Sequence, residues 1–243
     1  MHNMSFPENI LCETSTATDG TMSFKGGDIE NVTENRLRFL KKFGIESEAY
    51  IPILCNHGET ITVVDTTHAS LKTVEPKKGV LAEVVATQEK SIALFLLTAD
   101  CQPMSFFDPV TQTIALAHIS RVTLTKKLPQ KTVLFLRNTF GVDPANLLIL
   151  IGPCIKKESY AFPLPLSSVD PVLRTHIKEK GGYAQIDLLG ASIEQLTASG
   201  VMKKNISVSP IDTGSSADYF SYFRMKKEGV SDTARMATVL MMR

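Results

Sequence analysis

Five apolar runs crowd the stretch between residues 50 and 119: YIPIL (50–54), TITVVD (60–65), GVLAEVVA (79–86), SIALFLL (91–97) and TIALAHI (113–119). They are β-branched and aliphatic, and they are bounded by Gly, Pro, Asp or Asn, which is the pattern of strands. A parallel neighbour needs a crossover of about a dozen residues or more. These runs are too close together for a helix at every crossover. The spacing counts against a doubly wound parallel sheet and predicts an α+β fold, a mixed β-sheet core flanked by helices.

Helical patterns lie around this block. NVTENRLRFLKKFG (31–44) predicts a helix with Asn31 as its cap, Glu34 as the return half of a capping box and Gly44 as its end. PQKTVLFLRNTFG (129–141) predicts a second, with Pro129 near its start and Gly141 after its end. VDPVLRTHIKEKGG (169–182) and DLLGASIEQLTASG (187–200) predict two more, the latter capped by Asp187 and closed by Gly200. NLLILIGP (146–153), ISVS (206–209) and ARMATVLMM (234–242) read as further strands. No Pro- or Gly-rich linker and no repeat divides the chain. One compact domain over 21–243 is expected, preceded by a mobile N-terminal segment over 1–20.

The 243 residues are 43% hydrophobic, enough to bury a substantial core. A net charge of +1 gives no long-range field for nucleic acid or a membrane surface. The N-terminal stretch MHNMSFPENILCETSTATDG is polar and has no apolar core of a signal peptide. No run reaches the ~18 apolar residues of a membrane helix. The expected setting is the cytoplasm, where disulfides are rare. Cys12, Cys55, Cys101 and Cys154 are then each a core-filling thiol or a reactive or metal-binding one.

Among the histidines, His2 lies in the terminus, His68 in the loop DTTHAS and His176 in a charged stretch. His57 and His118 differ. His57, in LCNHGET, lies between two strands and precedes Gly58, which permits a tight turn. His118 ends the strand IALAH, and Cys101 sits in the turn after LFLLTAD. Three donors at strand ends could converge as a His₂Cys zinc site, with the fourth position open to water or substrate. Spacing alone leaves open whether they meet.

An ordered set of motifs resembles the laccase-domain family, also called multicopper polyphenol oxidoreductase-like proteins. GGDIENVTENRLRFLKKFGI (26–45), LCNHGETITVVD (54–65), LTADCQPMSFFDP (97–109), ALAHIS (115–120), IGPCIKKESYAF (151–162), YFSYFR (219–224) and DTARMATVLMM (232–242) follow the family's order. The resemblance implies a purine nucleoside phosphorylase acting on adenosine, inosine, guanosine or methylthioadenosine, with adenosine deaminase activity beside it. Purine nucleosides and phosphate are then the partners. It also implies zinc held by His57, Cys101 and His118, the same three residues selected above. The family's HAGWRG is HISRVT here, which keeps His118 and places Arg121 one position earlier. The Gln of its QVH is Cys55. Arg224 keeps the second Arg of SYRR, with Phe223 at the first, and Arg235 keeps the Arg of GR.

Zinc with an open position lowers the pKa of its water to about 7, the general logic by which zinc deaminases attack C6 of adenine. Asp100, beside Cys101, is either a proton carrier there or a turn residue accepting a backbone N–H. Phosphorolysis needs donors for phosphate. Arg121 is the expected catalytic arginine, and Arg224 and Arg235 are expected to bind substrate or phosphate. Cys154 reads as packed, with a second thiol near the site as the alternative. A His₂Cys set near Met104 is also compatible with copper, and Cu²⁺ could occupy the zinc site in vitro. A multicopper oxidase needs a further histidine cluster, and His2, His68 and His176 include no His-x-His pair. A laccase-like polyphenol oxidase, a cysteine hydrolase using Cys101 and His118, and an inactive member keeping zinc as a structural pin are the competing readings.

Overall fold

The computed structural model describes residues 6–46, 49–71, 75–76, 78–166, 170–230 and 233–243. His2, Val169 and Asp232 of the sequence expectations lie outside them. Two mixed sheets form the core. The first has the order β1 (Ile10–Thr14), β14 (Met236–Met242), β6 (Ala93–Thr98), β2 (Tyr50–Leu54), β4 (Val80–Leu81). The second runs β13 (Ile206–Val208), β9 (Leu148–Ile151), β7 (Gln102–Asp108), β8 (Thr113–Ile119), β5 (Val84–Thr87), β3 (Ile61–Val63).

The sheets stack face to face. Ile51, Leu94, Leu96 and Leu240 of the first meet Val85, Phe107, Ile114 and Leu116 of the second. The outer face of the first sheet, through Phe95 and Val239, packs under Phe39 and Leu40 of α1 (Ile29–Lys41). The outer face of the second, through Phe106 and Ala117, is covered by α2 (Arg121–Thr125), α3 (Leu128–Phe140) and α4 (Leu188–Ala198). This helix–sheet–sheet–helix order explains why β7, β8 and β14 are buried at every residue. The α+β class holds, with the core split into two sheets. No helix among the described residues is long and apolar enough to cross a membrane.

Several local expectations change. α1 starts at Asp28, whose carboxylate accepts the Asn31 N–H at 2.9 Å, so Asp28 is the cap and Asn31 lies inside the first turn. Gly44 does end the helix, at φ +68°, with the Ile45 N–H donating to Leu40 O at 3.2 Å. The helix expected over 169–182 is a 3₁₀ turn, Pro171–His176, followed by β11 (Ile177–Lys180). Gly181 and Gly182, at φ +58° and +78°, form a two-residue hairpin turn into β12 (Tyr183–Ile186). With β10 (Ala161–Pro163) these strands make a third, small sheet. Ile10–Thr14, in the segment expected apart from the domain, pairs along its length with β14.

GVLAEVVA is two strands. β4 pairs with β2 in one sheet and β5 with β8 in the other, so the chain changes sheets at Ala82–Glu83. β6 and β7 make the same change through Ala99–Cys101. Pro103 is the second residue of β7 and lies opposite His118. Its carbonyl accepts the Gly152 N–H at 2.9 Å.

Removing the α1 cap with Asp28→Ala should lower unfolding stability by about 1 kcal/mol. Asn31→Ala should stay within about 0.5 kcal/mol. Urea unfolding of the two variants measures both, and the reverse order would restore Asn31 as the cap.

Candidate metal centre

Register brings the donors together. β5 and β8 are antiparallel with Val84 opposite Ala117, so Glu83 lies beside His118, whose N–H donates to Glu83 O at 2.8 Å. β7 flanks β8 on the other side with Pro103 opposite His118, which places Cys101 two residues away. β2 and β6 are parallel neighbours, so Cys55 and Asp100–Cys101 emerge from adjacent strand ends. His57 follows in the β2–β3 turn, and its ring centroid is 5.2 Å from that of His118.

The Cys55 thiol, a Glu83 carboxylate oxygen and a His118 ring nitrogen lie within 4.8 Å of one another, a cluster able to hold a metal ion. Cys101 and His57 are not part of that trio, but Cys101 is near enough to raise the His118 pKa and the His57 ring neighbours that of His118. Burial opposes a charge on His118, yet the two thiols and Glu83 push its pKa well above the ordinary range. Burial holds the His57 pKa down, helped by His118. Burial also raises the Cys55 thiol. A divalent cation reverses that penalty, because a coordinating thiol loses its proton. Thiols and imidazoles together are the donor chemistry of zinc, and imidazole and thiolate also suit copper.

Glu83 is buried, and its carboxylate is fully satisfied. Oε2 accepts from His118 Nδ1 at 2.7 Å; Oε1 accepts the N–H groups of Asn56 at 2.7 Å and Gly58 at 3.1 Å. Burial raises its pKa, but these donors outweigh burial and leave it below the usual range. His118 therefore turns Nε2 away from Glu83, as in carboxylate–histidine–metal sites. The tight turn is carried by His57 itself, at φ +60°, rather than by Gly58. Lys126 Nζ donates to His57 O at 2.7 Å, and Ser120 Oγ lies 3.2 Å from His57 Nδ1.

The remaining sequence candidates separate. Asp100, at φ +80°, accepts from Thr213 Oγ1 at 2.7 Å and from the Phe223 N–H at 2.6 Å. Burial pushes its carboxyl up despite these donors. Arg224 donates to the carbonyls of Thr213, Ser216 and Tyr219 and so clamps the 213–219 loop. Arg235 donates to Ala234 O and lies 5.7 Å from the Tyr222 ring. Arg121 is exposed on the first turn of α2, and its charge reaches Tyr160, which also feels Cys101 and Asp100. Tyr160, Phe162 and Phe223 form a half-buried aromatic wall with ring centroids 4.9 to 5.4 Å apart. Cys154 is wholly buried in the core, and burial pushes its thiol up to about 11. Met104 is likewise core. His68 and His176 are spent on Asp65 and Glu194, at 3.1 and 2.9 Å.

Glu83 and Cys55 were not selected from the sequence. Each had a signal: an acid inside the apolar run VLAEVVA, and a thiol two residues before His57.

A mixed two-sheet domain with a Cys/His donor cluster at its strand ends is thus the class that fold and site define. The chain belongs to the multi-copper polyphenol oxidoreductase laccase family, whose sequence profile matches residues 16–243. It is 30% identical over 208 residues to a Streptomyces coelicolor protein named purine nucleoside phosphorylase SCO2081, covering 84% of this chain and 81% of that one. It is 29% identical over 168 residues to purine nucleoside phosphorylase YlmD of Bacillus subtilis, covering 65% and 58%. The crystal structure of YlmD from Geobacillus stearothermophilus shares the fold at a TM-score of 0.86 and 24% identity, over 97% of this chain and 93% of that one.

Glu83→Gln should keep the fold but weaken metal binding by about 10- to 100-fold, since it loosens His118. A competition titration with a chromogenic chelator reads the affinity, and unchanged affinity would remove the orienting role.

Proposed function

We propose that this chain is a zinc-dependent purine nucleoside phosphorylase, with His57, Cys101 and His118 as zinc ligands. The observation that supports the reading is the Cys55–Glu83–His118 donor group at one end of the two sheets, with the His57 ring 5.2 Å from that of His118 and Cys101 in the adjoining turn. The names of the relatives give the substrate class. Adenosine, inosine, guanosine and methylthioadenosine are the expected substrates. The reduced thiols of the site suit the cytoplasm.

In phosphorolysis a phosphate oxygen attacks C1′ of the ribose as the C1′–N9 bond breaks. The bond's electron pair leaves with the purine, which takes up a proton. Arg121, the exposed arginine of the three candidates, is assigned to phosphate, which its electrostatic influence on Tyr160 beside the candidate site supports. Tyr160, Phe162 and Phe223 offer aromatic surface for a purine. Asp100, with Arg224, positions this wall by holding Thr213 and the Phe223 N–H. Arg235 completes the same side through Tyr222. A bound zinc supplies Lewis acidity. Hydrolytic deamination of adenosine is a second reaction of such a donor set, provided one coordination position is open.

Incubation of purified protein with adenosine, inosine and methylthioadenosine, with and without phosphate, tests this. Free base and ribose 1-phosphate (or its methylthio analogue) should form only with phosphate present. Cys101→Ala should lose the zinc and reduce base release to background. No base release from protein with a full zinc complement would overturn the reading in favour of a structural metal site.

A further inference from the structure

His57 sits on an exposed turn, so packing does not set the direction of its ring. The short helix α2 holds it at two points instead. Ser120, the residue before the helix, has its Oγ 3.2 Å from His57 Nδ1. Lys126, the residue after it, donates from Nζ to His57 O at 2.7 Å. Ser120 is buried and is itself held by a reciprocal capping box: its Oγ accepts the Thr123 N–H at 3.2 Å, and its own N–H donates to Thr123 Oγ1 at 2.7 Å. A hydroxyl carries one proton and two lone pairs, which is enough to place the protons. Thr123 gives its proton to a carbonyl, that of His118 at 3.3 Å or that of Ser120 at 3.2 Å. Ser120 Oγ faces Thr123 Oγ1 at 3.3 Å, so the Ser120 proton goes there. The Ser120 oxygen then meets His57 Nδ1 as an acceptor, and Nδ1 must carry the proton.

We propose that Ser120 and Lys126 are positioning residues for His57: the Ser120 hydroxyl holds the ring in its Nδ1–H form, which leaves the Nε2 lone pair free, and Lys126 fixes the backbone that carries it. The consequence for a metal rests on the reading of His57 as a zinc ligand. A ring nitrogen ligates a metal only when it is bare, and the partner of the other nitrogen decides which one is bare. His118 is held through Nδ1 by the Glu83 carboxylate at 2.7 Å; His57 is held through Nδ1 by a neutral hydroxyl. Free histidine favours the proton on Nε2, so the Nδ1–H form needs such a partner. Lys126 acts on the backbone, where His57 stands at φ +60°, a conformation that a non-glycine residue keeps only when its surroundings enforce it. Arg121 is the first residue of the same helix. The element that orients His57 therefore also carries the arginine assigned to phosphate, and one helical turn sets the spacing between them.

Nitrogen NMR of the metal-free full chain, at a pH where the His57 ring is neutral, reads the tautomer directly. His57 should show a protonated Nδ1 and a bare Nε2 in the wild type. Ser120→Gly removes the hydroxyl at little cost to the helix cap, and it should return His57 to the Nε2–H form of free histidine. Ser120→Thr keeps a hydroxyl and should restore the wild-type pattern. A wild-type His57 with its proton on Nε2, or a Ser120→Gly pattern identical to the wild type, overturns the proposal. The wild-type spectrum needs no variant, so a Ser120→Gly chain that fails to fold leaves the test intact. Zinc affinity, read by chelator competition, should fall about 10- to 100-fold in Ser120→Gly. It should also fall in Lys126→Met and recover in Lys126→Arg; a Lys126→Met chain that binds zinc as the wild type does overturns the part of the lysine. His57→Ala separates this proposal from the metal reading. The expected tautomers, with zinc affinity unchanged in His57→Ala, would keep Ser120 as the orienting group and remove His57 as a ligand. Zinc lost in His57→Ala, with the wild-type ring in its Nε2–H form, would do the opposite.

Discussion

The buried carboxylate of Glu83 is the constraint on which the site depends. An uncompensated charge in a protein interior costs several kcal/mol. Glu83 sits where the chain leaves one sheet for the other, and its partners must be supplied at that point. They come from two places: the His118 imidazole at the end of β8, and the N–H groups of Asn56 and Gly58 in the turn after β2. Satisfying one charge thus fixes the rotation of His118, the path of the turn that carries Cys55 and His57, and the spacing of the two sheets at that edge. It also holds His57 in a left-handed backbone conformation that a non-glycine residue adopts only at a cost of about 1–3 kcal/mol.

The location of the site follows from the layering. Helices or the opposite sheet cover the faces of the two large sheets, so the strand interiors are mostly apolar, and polar side chains there, such as Ser105 and Thr238, are paired with Cys12 and Thr14. The candidate donors lie at strand ends. At one edge β2, β6 and β8 all end, β3, β5 and β7 begin, and the chain steps between sheets three times. Turns on a rigid scaffold are where reacting groups are commonly placed. Here the scaffold brings donors 46 residues apart in sequence, Cys55 and Cys101, onto one histidine.

Most strands around the site were legible because burial on both faces leaves long apolar runs; β7, with Gln102, Ser105 and Asp108, was not. TIALAHI was readable to the residue as β8, and Asp187 and Gly141 marked their helix ends as capping chemistry predicts. Two kinds of information were hidden. One is local competition: Gly181–Gly182 ends a helix equally well on composition, but β11 pairing with β12 makes it a hairpin turn. The other is long-range. GVLAEVVA reads as one strand because nothing local says that its halves join different sheets. The same blind spot hid Glu83, since its value lies in partners 25 to 35 residues away. Cys55 was masked by a different effect. A thiol two residues before His57 reads equally as a core-filling side chain, and only the neighbouring strands bring it to Glu83 and His118.

Retention in a motif and contact with the reacting atoms are separate matters. Asp100 and Arg224 both fall in the most recognisable segments, yet their polar atoms are committed to Thr213, Phe223 and the carbonyls of the 213–219 loop. A carboxylate and a guanidinium locked in this way shape a wall. Arg121 lies in the segment that departs most from the family pattern, and it is exposed and electrostatically coupled to Tyr160. Cys55 lies in the donor group itself and Phe223 in the aromatic wall, one just past a strand end and the other at a helix start, so the groups facing the site can vary while the packed strands that position it stay the same.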